Sequence, residues 1–172
     1  GRKFQKKRNH VNHFRAEHSQ FELQNLTGGN FSAAQRMVGE WYRARMQADP
    51  TGDYMMESIA MSRAFRHYEG LQMESAVLVE NGEILAVTMG SRLWSDTFDI
   101  HFEKAREDVD GAYAAVNCEF ARYLRLKYPN LRYLNREDDV GLAGLRKAKL
   151  SYNPHHMVEK SWAYLAEDFH GD

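Results

Sequence analysis

Apolar residues recur along this chain in two rhythms, one near three to four residues and one of two. Near the start, Phe4, Val11 and Phe14 share one side of a helical wheel, which predicts a helix over residues 1–16. Lys7 and Arg8 fall on that same side, a placement a plain amphipathic helix would not choose. Residues 20–27 alternate, with Phe21 and Leu23 set against Glu22 and Gln24, and predict a strand. Gly28, Gly29 and Asn30 read as a turn. Ser32 and Gln35 have capping-box spacing, and the helix they open runs to about Gln47 on a stripe of Ala34, Met37, Val38, Trp41 and Met46. Pro50, Gly52 and Asp53 break it. Asp53 then reads as the cap of a helix over 54–69, which Gly70 ends.

The rhythm changes to two over residues 76–80 and 83–89, which flank Asn81-Gly82. Both residues of that turn need positive φ, so Asn-Gly between β-rich runs predicts a tight hairpin. Residues 97–105 read as a third strand of the same meander. Gly111 precedes a helix over 112–126, with Val116, Phe120, Tyr123 and Leu124 on one side, and Pro129-Asn130 closes it. A short strand over 131–135, a helix over 141–152 and a strand over 156–165 complete the pattern. Leu142, Leu145 and Tyr152 are the expected buried stripe of that last helix. The layout is α+β, or mixed α/β: a central, mostly antiparallel sheet flanked by helices, with a basic helical arm at residues 1–16.

Composition narrows the class. The 172 residues are 43% hydrophobic and 27% charged, which suits one globular domain over 1–172 and excludes wholesale disorder. No apolar run approaches the ~20 residues a membrane span requires. The single cysteine, Cys118, rules out an intrachain disulfide and a multi-cysteine zinc site, and suits a reducing, cytoplasmic setting. It lies in an apolar helical run and reads as a small core residue. The start lacks both an initiator Met and a signal-peptide core, which suggests a processed chain or a piece of a longer protein. A net charge of −1 gives no global pull toward nucleic acid. Locally, though, Arg2, Lys3, Lys6, Lys7, Arg8 and Arg15 face only Glu17 in the first seventeen residues. The eight histidines form no HExxH-type pattern, so no metal site is expected.

Four stretches resemble one bacterial family. They are KKRNHVNHF at 6–14, IHFEKA at 100–105, GAYAAVNCEFA at 111–121, and YLNREDDVG at 133–141 continuing into GLRKAKLSYNP at 144–154. Together they are similar to the phosphatidylglycerol lysyltransferase C-terminal-like family. The resemblance implies a GNAT-like acyltransferase fold, with an aminoacyl group transferred from aminoacyl-tRNA to a lipid amine or hydroxyl. It implies a partner too. The family's usual chain holds two GNAT-like halves, and this one matches the C-terminal half, so an N-terminal GNAT-like domain is expected beside it. The implied place is the cytoplasm, with peripheral contact at the inner face of the membrane.

Acyl transfer needs a held carbonyl, donors for its developing oxyanion and a destination for a proton. Period-two spacing puts Asp99, His101 and Glu103 on one face of the third meander strand, with Ile100 and Phe102 turned to the core. His101 or Glu103 could take the proton; a polar, solvent-facing strand side is the alternative. Asn135, Arg136, Glu137 and Asp138 lie between a strand end and a helix start. There Arg136 could clamp a phosphate or carboxylate, and Glu137 and Asp138 an ammonium group. From spacing alone the acids could equally cap the next helix; the resemblance favours binding. It also draws in Glu137 as a catalytic group and Asn117 as a substrate contact. Arg146 and Lys149 share a helix side that could meet phosphates or lipid headgroups, and Lys6, Lys7 and Arg8 could do the same for tRNA; solvated faces are the alternative. A coenzyme-A-dependent N-acyltransferase, with acetyl-CoA or another acyl-CoA as donor, is the rival enzyme. It needs a basic, glycine-rich turn before the 112–126 helix, where this chain has Glu107, Asp108 and Asp110. Asp110 reads better as that helix's cap. A non-catalytic half-module is the third reading.

Overall fold

The structure is a computed structural model and describes residues 4–161, 163 and 164. The chain divides into two compact units, Gly1–Asp138 and Asp139–Asp172. The first holds α1 (Gln5–Glu17), β1 (Glu22–Asn25), α2 (Gly28–Ala48), α3 (Met55–Arg66), β2 (Glu74–Glu80), β3 (Glu83–Arg92), β4 (Thr97–Ala105), α4 (Ala112–Lys127) and β5 (Tyr133–Asn135). The second holds α5 (Ala143–Leu150). No helix of the described residues is long and apolar enough to cross a membrane.

The sheet runs β1-β2-β3-β4-β5. Its first three pairings are antiparallel and β4–β5 is parallel. The β2–β3 hairpin forms where expected, with Asn81 at φ 51° and Gly82 at φ 82°. Strand alternation sorts the core into two layers. Val77, Val87 and Met89 meet Met37, Val38, Tyr42, Met61 and Phe65 of α2 and α3. On the other face, Leu78, Ala86 and Ala105 meet Phe14 of α1 and Ala115 and Val116 of α4, while Phe98 and Ile100 pack on Phe120 and Leu124. Phe14 is wholly buried and stacks on His18 at 4.6 Å, so α1 is part of the core layer.

Several boundaries differ from the sequence pattern. Gly28, Gly29 and Asn30 form the first turn of α2, because Thr27 is extended and makes the capping box with Asn30, whose Oδ1 accepts the Thr27 N–H at 2.8 Å. That bond supplants the expected Ser32–Gln35 box. In α3 the N-cap position is Tyr54, not Asp53, and the helix stops at Arg66, before Gly70. Gly111, not Asp110, holds the N-cap position of α4. The Asp110 carboxylate lies instead 3.5 Å from His13 Nε2. No strand forms among residues 156–161, 163 and 164; Trp162 and Leu165 lie outside the described residues. In the second unit α5 buries no residue, and the expected stripe of Leu142 and Leu145 is exposed.

Candidate active site

β4 and β5 pair from Thr97↔Tyr133 to Asp99↔Asn135, where β5 ends. At the same level β4 carries a bulge. Met89 pairs with Phe102 and Gly90 with Ile100, so His101 is the extra residue. Gly90 makes the bulge possible, since a Cβ there would collide with the Asp99 carbonyl and the Phe98 ring.

The bulge corrects the expected face assignment. Asp99 and His101 do share a face, that of α2 and α3, but Glu103 lies on the α1 and α4 face. One extra residue inverts the alternation beyond it. Ile100 and Phe102 both reach core, on opposite sides of the sheet.

On the α1 and α4 face, Glu103 is a nearly buried carboxylate with two donors. Arg136 Nη2 donates to its Oε1 at 2.6 Å, and Asn117 Nδ2 to its Oε2 at 3.1 Å. Lys7 is the third neighbour. Burial, reinforced by the Arg136 and Lys6 charges, holds its ammonium below the usual lysine range, while Glu103 opposes the shift. The stretches around residues 7, 103, 117 and 136 are thus brought together on one face of the sheet. Lys6 and Arg8 are exposed and do not share Lys7's half-buried setting.

On the α2 and α3 face, His101 sits among three oxygens. Ser91 Oγ is 2.8 Å from its Nε2; Glu137 Oε1 and Asp99 Oδ2 are 3.2 and 3.8 Å from its Nδ1. Asp99, His101 and Glu137 each bring one donor atom within 4.8 Å of the others, a spacing a divalent cation could bridge. Asn135 Oδ1 accepts the Glu137 N–H at 3.2 Å, and Glu137 takes the left-handed conformation at φ 56°. This turn lets consecutive residues serve two faces, Arg136 toward Glu103 and Glu137 toward His101. Asp138 is exposed. Lys104, next to Glu103, is buried on the α2 and α3 face, where its ammonium lies 4.2 Å from the Trp41 ring centroid and donates to Glu57 at 2.7 Å. Burial lowers its pKa against the pull of Glu57.

The turn before α4 is a poor phosphate cradle. Two of its carboxylates are paired with arginines, Asp108 with Arg106 at 2.6 Å and Glu107 with Arg45, and the third, Asp110, lies by His13. The His10 carbonyl of α1 lies 2.8 Å from where a Gly111 Cβ would stand, so α1 crowds the helix start. A depression of about 570 Å³ lies at the opposite sheet edge, along β1.

In the second unit Arg146 pairs with the buried Asp139, Nε to Oδ2 at 2.8 Å, and Lys149 is half-buried on the same helix. Sequence reasoning missed Ser91 and Lys104. A lysine in the apolar register of a core strand was a readable signal for the second. Ser91 is legible only once the β3–β4 register is known.

The chain matches the family described as phosphatidylglycerol lysyltransferase, C-terminal, over residues 1–164. No curated protein matches it. Among solved structures, a conserved protein of unknown function from Bacteroides thetaiotaomicron is 38% identical and superposes with a TM-score of 0.83, over 91% of this chain and 52% of that one. The chain thus spans about half the length of that relative. A possible acetyltransferase from Clostridium difficile has a TM-score of 0.60 at 10% identity, over 86% of this chain and 98% of that one. A ribosomal-protein-alanine N-acetyltransferase from Brucella melitensis has a TM-score of 0.52 at 10% identity, over 84% and 96%. At such identities the last two speak for the fold alone, and the fold is that of the GNAT acetyltransferases, as the sequence led one to expect. With the family match running from residue 1 to residue 164, the chain belongs to the phosphatidylglycerol lysyltransferase C-terminal family.

Proposed function

We propose that this chain transfers an aminoacyl group from aminoacyl-tRNA to a lipid or small amine or hydroxyl acceptor, beside β4 where β5 ends. One observation carries the choice of donor. Two cations, Lys7 and Arg136, stand together around the buried Glu103, just past the end of β5. The turn before α4, which a coenzyme A pyrophosphate would need, is instead lined by acids. A guanidinium oriented by one carboxylate and seconded by an ammonium suits a phosphate of the donor's 3′ end. In this reading Glu103 and Asn117 are positioning residues for Arg136. The acyl carbonyl sits near the end of β5, and His101, oriented by Glu137, takes the proton of the attacking group on the other face. Asn135 shapes the turn, and Asp138 could receive the donor's α-ammonium. Arg146 and Lys149 could contact phosphates or headgroups, as could Lys6 and Arg8. The working protein includes an N-terminal GNAT-like partner domain and acts at the inner membrane face.

The test is transfer from a panel of aminoacyl-tRNAs to phosphatidylglycerol vesicles by the full-length protein. Arg136→Ala is expected to lower kcat/KM about 100-fold, about 2.7 kcal/mol. Undiminished transfer by that variant would overturn the role of Arg136. Acetylation of amines from acetyl-CoA, with no aminoacyl transfer, would establish the rival donor.

A further inference from the structure

Ser91, His101 and Glu137 have the geometry of a nucleophile, its base and the group that orients the base. Ser91 Oγ is 2.8 Å from His101 Nε2, within the reach general-base activation requires. On the far side of the ring, Glu137 Oε1 is 3.2 Å from Nδ1, with Asp99 Oδ2 behind it at 3.8 Å. Two carboxylates facing Nδ1 favour the tautomer that carries its proton there, since a bare lone pair would face two negative oxygens. Nδ1–H then donates to Glu137, which leaves Nε2 as acceptor for the Ser91 hydroxyl. The three elements involved are fixed independently: Ser91 by the β3–β4 ladder opposite Asp99, His101 by the bulge, and Glu137 by its turn on Asn135. Ser91 and His101 are only partly buried, so a substrate carbonyl can reach them.

We infer that Ser91 is an acyl-accepting nucleophile, and that transfer runs through an ester on its Oγ. Ser91 Oγ attacks the carbonyl carbon of an aminoacyl ester of a terminal ribose, and its proton passes to His101 Nε2. The adduct collapses by breaking the ester C–O bond, and the same proton goes to the departing ribose oxygen. The acceptor amine or hydroxyl then gives a proton to Nε2 as it attacks the Ser91 ester. Oγ leaves with that proton and the enzyme is restored. Ser91 and His101 are catalytic residues here; Glu137 and Asp99 are positioning residues. The acyl step rests on the transferase reading above, whereas the reactivity of Ser91 does not.

The experiment therefore separates the two. The chain is treated with a fluorophosphonate probe, and adducts are located by intact-mass and peptide mass spectrometry. One adduct on Ser91 is expected, absent from Ser91→Ala. Its rate should fall at least 100-fold in His101→Ala and recover several-fold when free imidazole is added, which a merely structural histidine would not permit. Glu137→Gln should slow labelling about 10-fold with unchanged near-ultraviolet circular dichroism. His101→Asn serves as a second variant if the alanine form unfolds. No adduct on Ser91 in folded protein, or labelling indifferent to His101, overturns the inference. Undiminished aminoacyl transfer by full-length Ser91→Ala would end the covalent step while leaving the transferase reading standing.

Discussion

Removing Arg136 should expose how the Glu103 carboxylate is kept inside the protein. The Glu103 side chain is 7% exposed and accepts from Arg136 at 2.6 Å and Asn117 at 3.1 Å. Breaking a buried pair by deleting one member typically costs about 3–5 kcal/mol, because the remaining charge is stranded. Arg136 is itself 27% exposed, so water can replace part of it, and the expected cost of Arg136→Met is about 2 kcal/mol. Glu103→Gln keeps an acceptor for Asn117 and leaves Arg136 able to hydrate, for about 1 kcal/mol. The double variant strands no carboxylate and should lose only about 1 kcal/mol, a coupling of about 2 kcal/mol. Urea unfolding of the four proteins, with equal m-values, measures it. The proposed function adds a second reading: in the full-length protein the double variant should regain stability but no aminoacyl transfer. Independent sites add to within about 0.5 kcal/mol, so a coupling below that would refute a stranded-charge account of this pair.

Two further substitutions probe the frame around the site. Gly90→Ala drives a methyl into the Asp99 carbonyl and the Phe98 ring, and should cost about 2–3 kcal/mol in urea unfolding even after the entropic gain of replacing glycine; wild-type stability would mean the bulge can shift freely. Glu74 is buried enough to raise its pKa, yet donors from Lys127, Tyr128 and Tyr123 more than offset this and hold the carboxyl below the usual glutamate range. Its folded pKa lies below its unfolded one, so its stabilisation is present above about pH 4.5 and is lost as pH falls through the folded value. Glu74→Gln should cost about 1–3 kcal/mol at neutral pH and flatten the acid limb of stability against pH; an unchanged limb would remove Glu74 from the account.

Local chemistry made most of the fold legible. Asn81-Gly82 can hardly be other than a tight turn, and β4 runs from Thr97 to Ala105, as its alternation indicated. The boundaries that moved did so where a tertiary or neighbouring bond beat a local preference. Thr27 and Asn30 satisfied each other before Ser32 could act, so three turn-forming residues became helix. The apolar residues of α5 gave a helical rhythm, but periodicity records only which residues could be buried together. Nothing in the spacing of Leu142 and Leu145 decides whether anything covers them, and in the second unit they stay exposed.

The site was half legible for a sharper reason. Strict alternation assigns Asp99, His101 and Glu103 to one face, and that inference fails by a single residue. A bulge has no strong signature of its own; here the trace is Gly90, a glycine inside an apolar strand, whose partner strand approaches too closely for any side chain. The consequence is chemical as well as geometric. Had β4 stayed regular, Glu103 would stand beside His101, and Arg136 and Glu137 would have to compete for the same space. With the bulge, the two consecutive residues after β5 divide. Arg136 joins Glu103, Asn117 and Lys7, and Glu137 joins His101 and Ser91. In the proposed reaction, binding charge and proton-transfer chemistry then lie on opposite faces of the sheet, so a cation gathered for the phosphate does not stand against the histidine that must accept a proton.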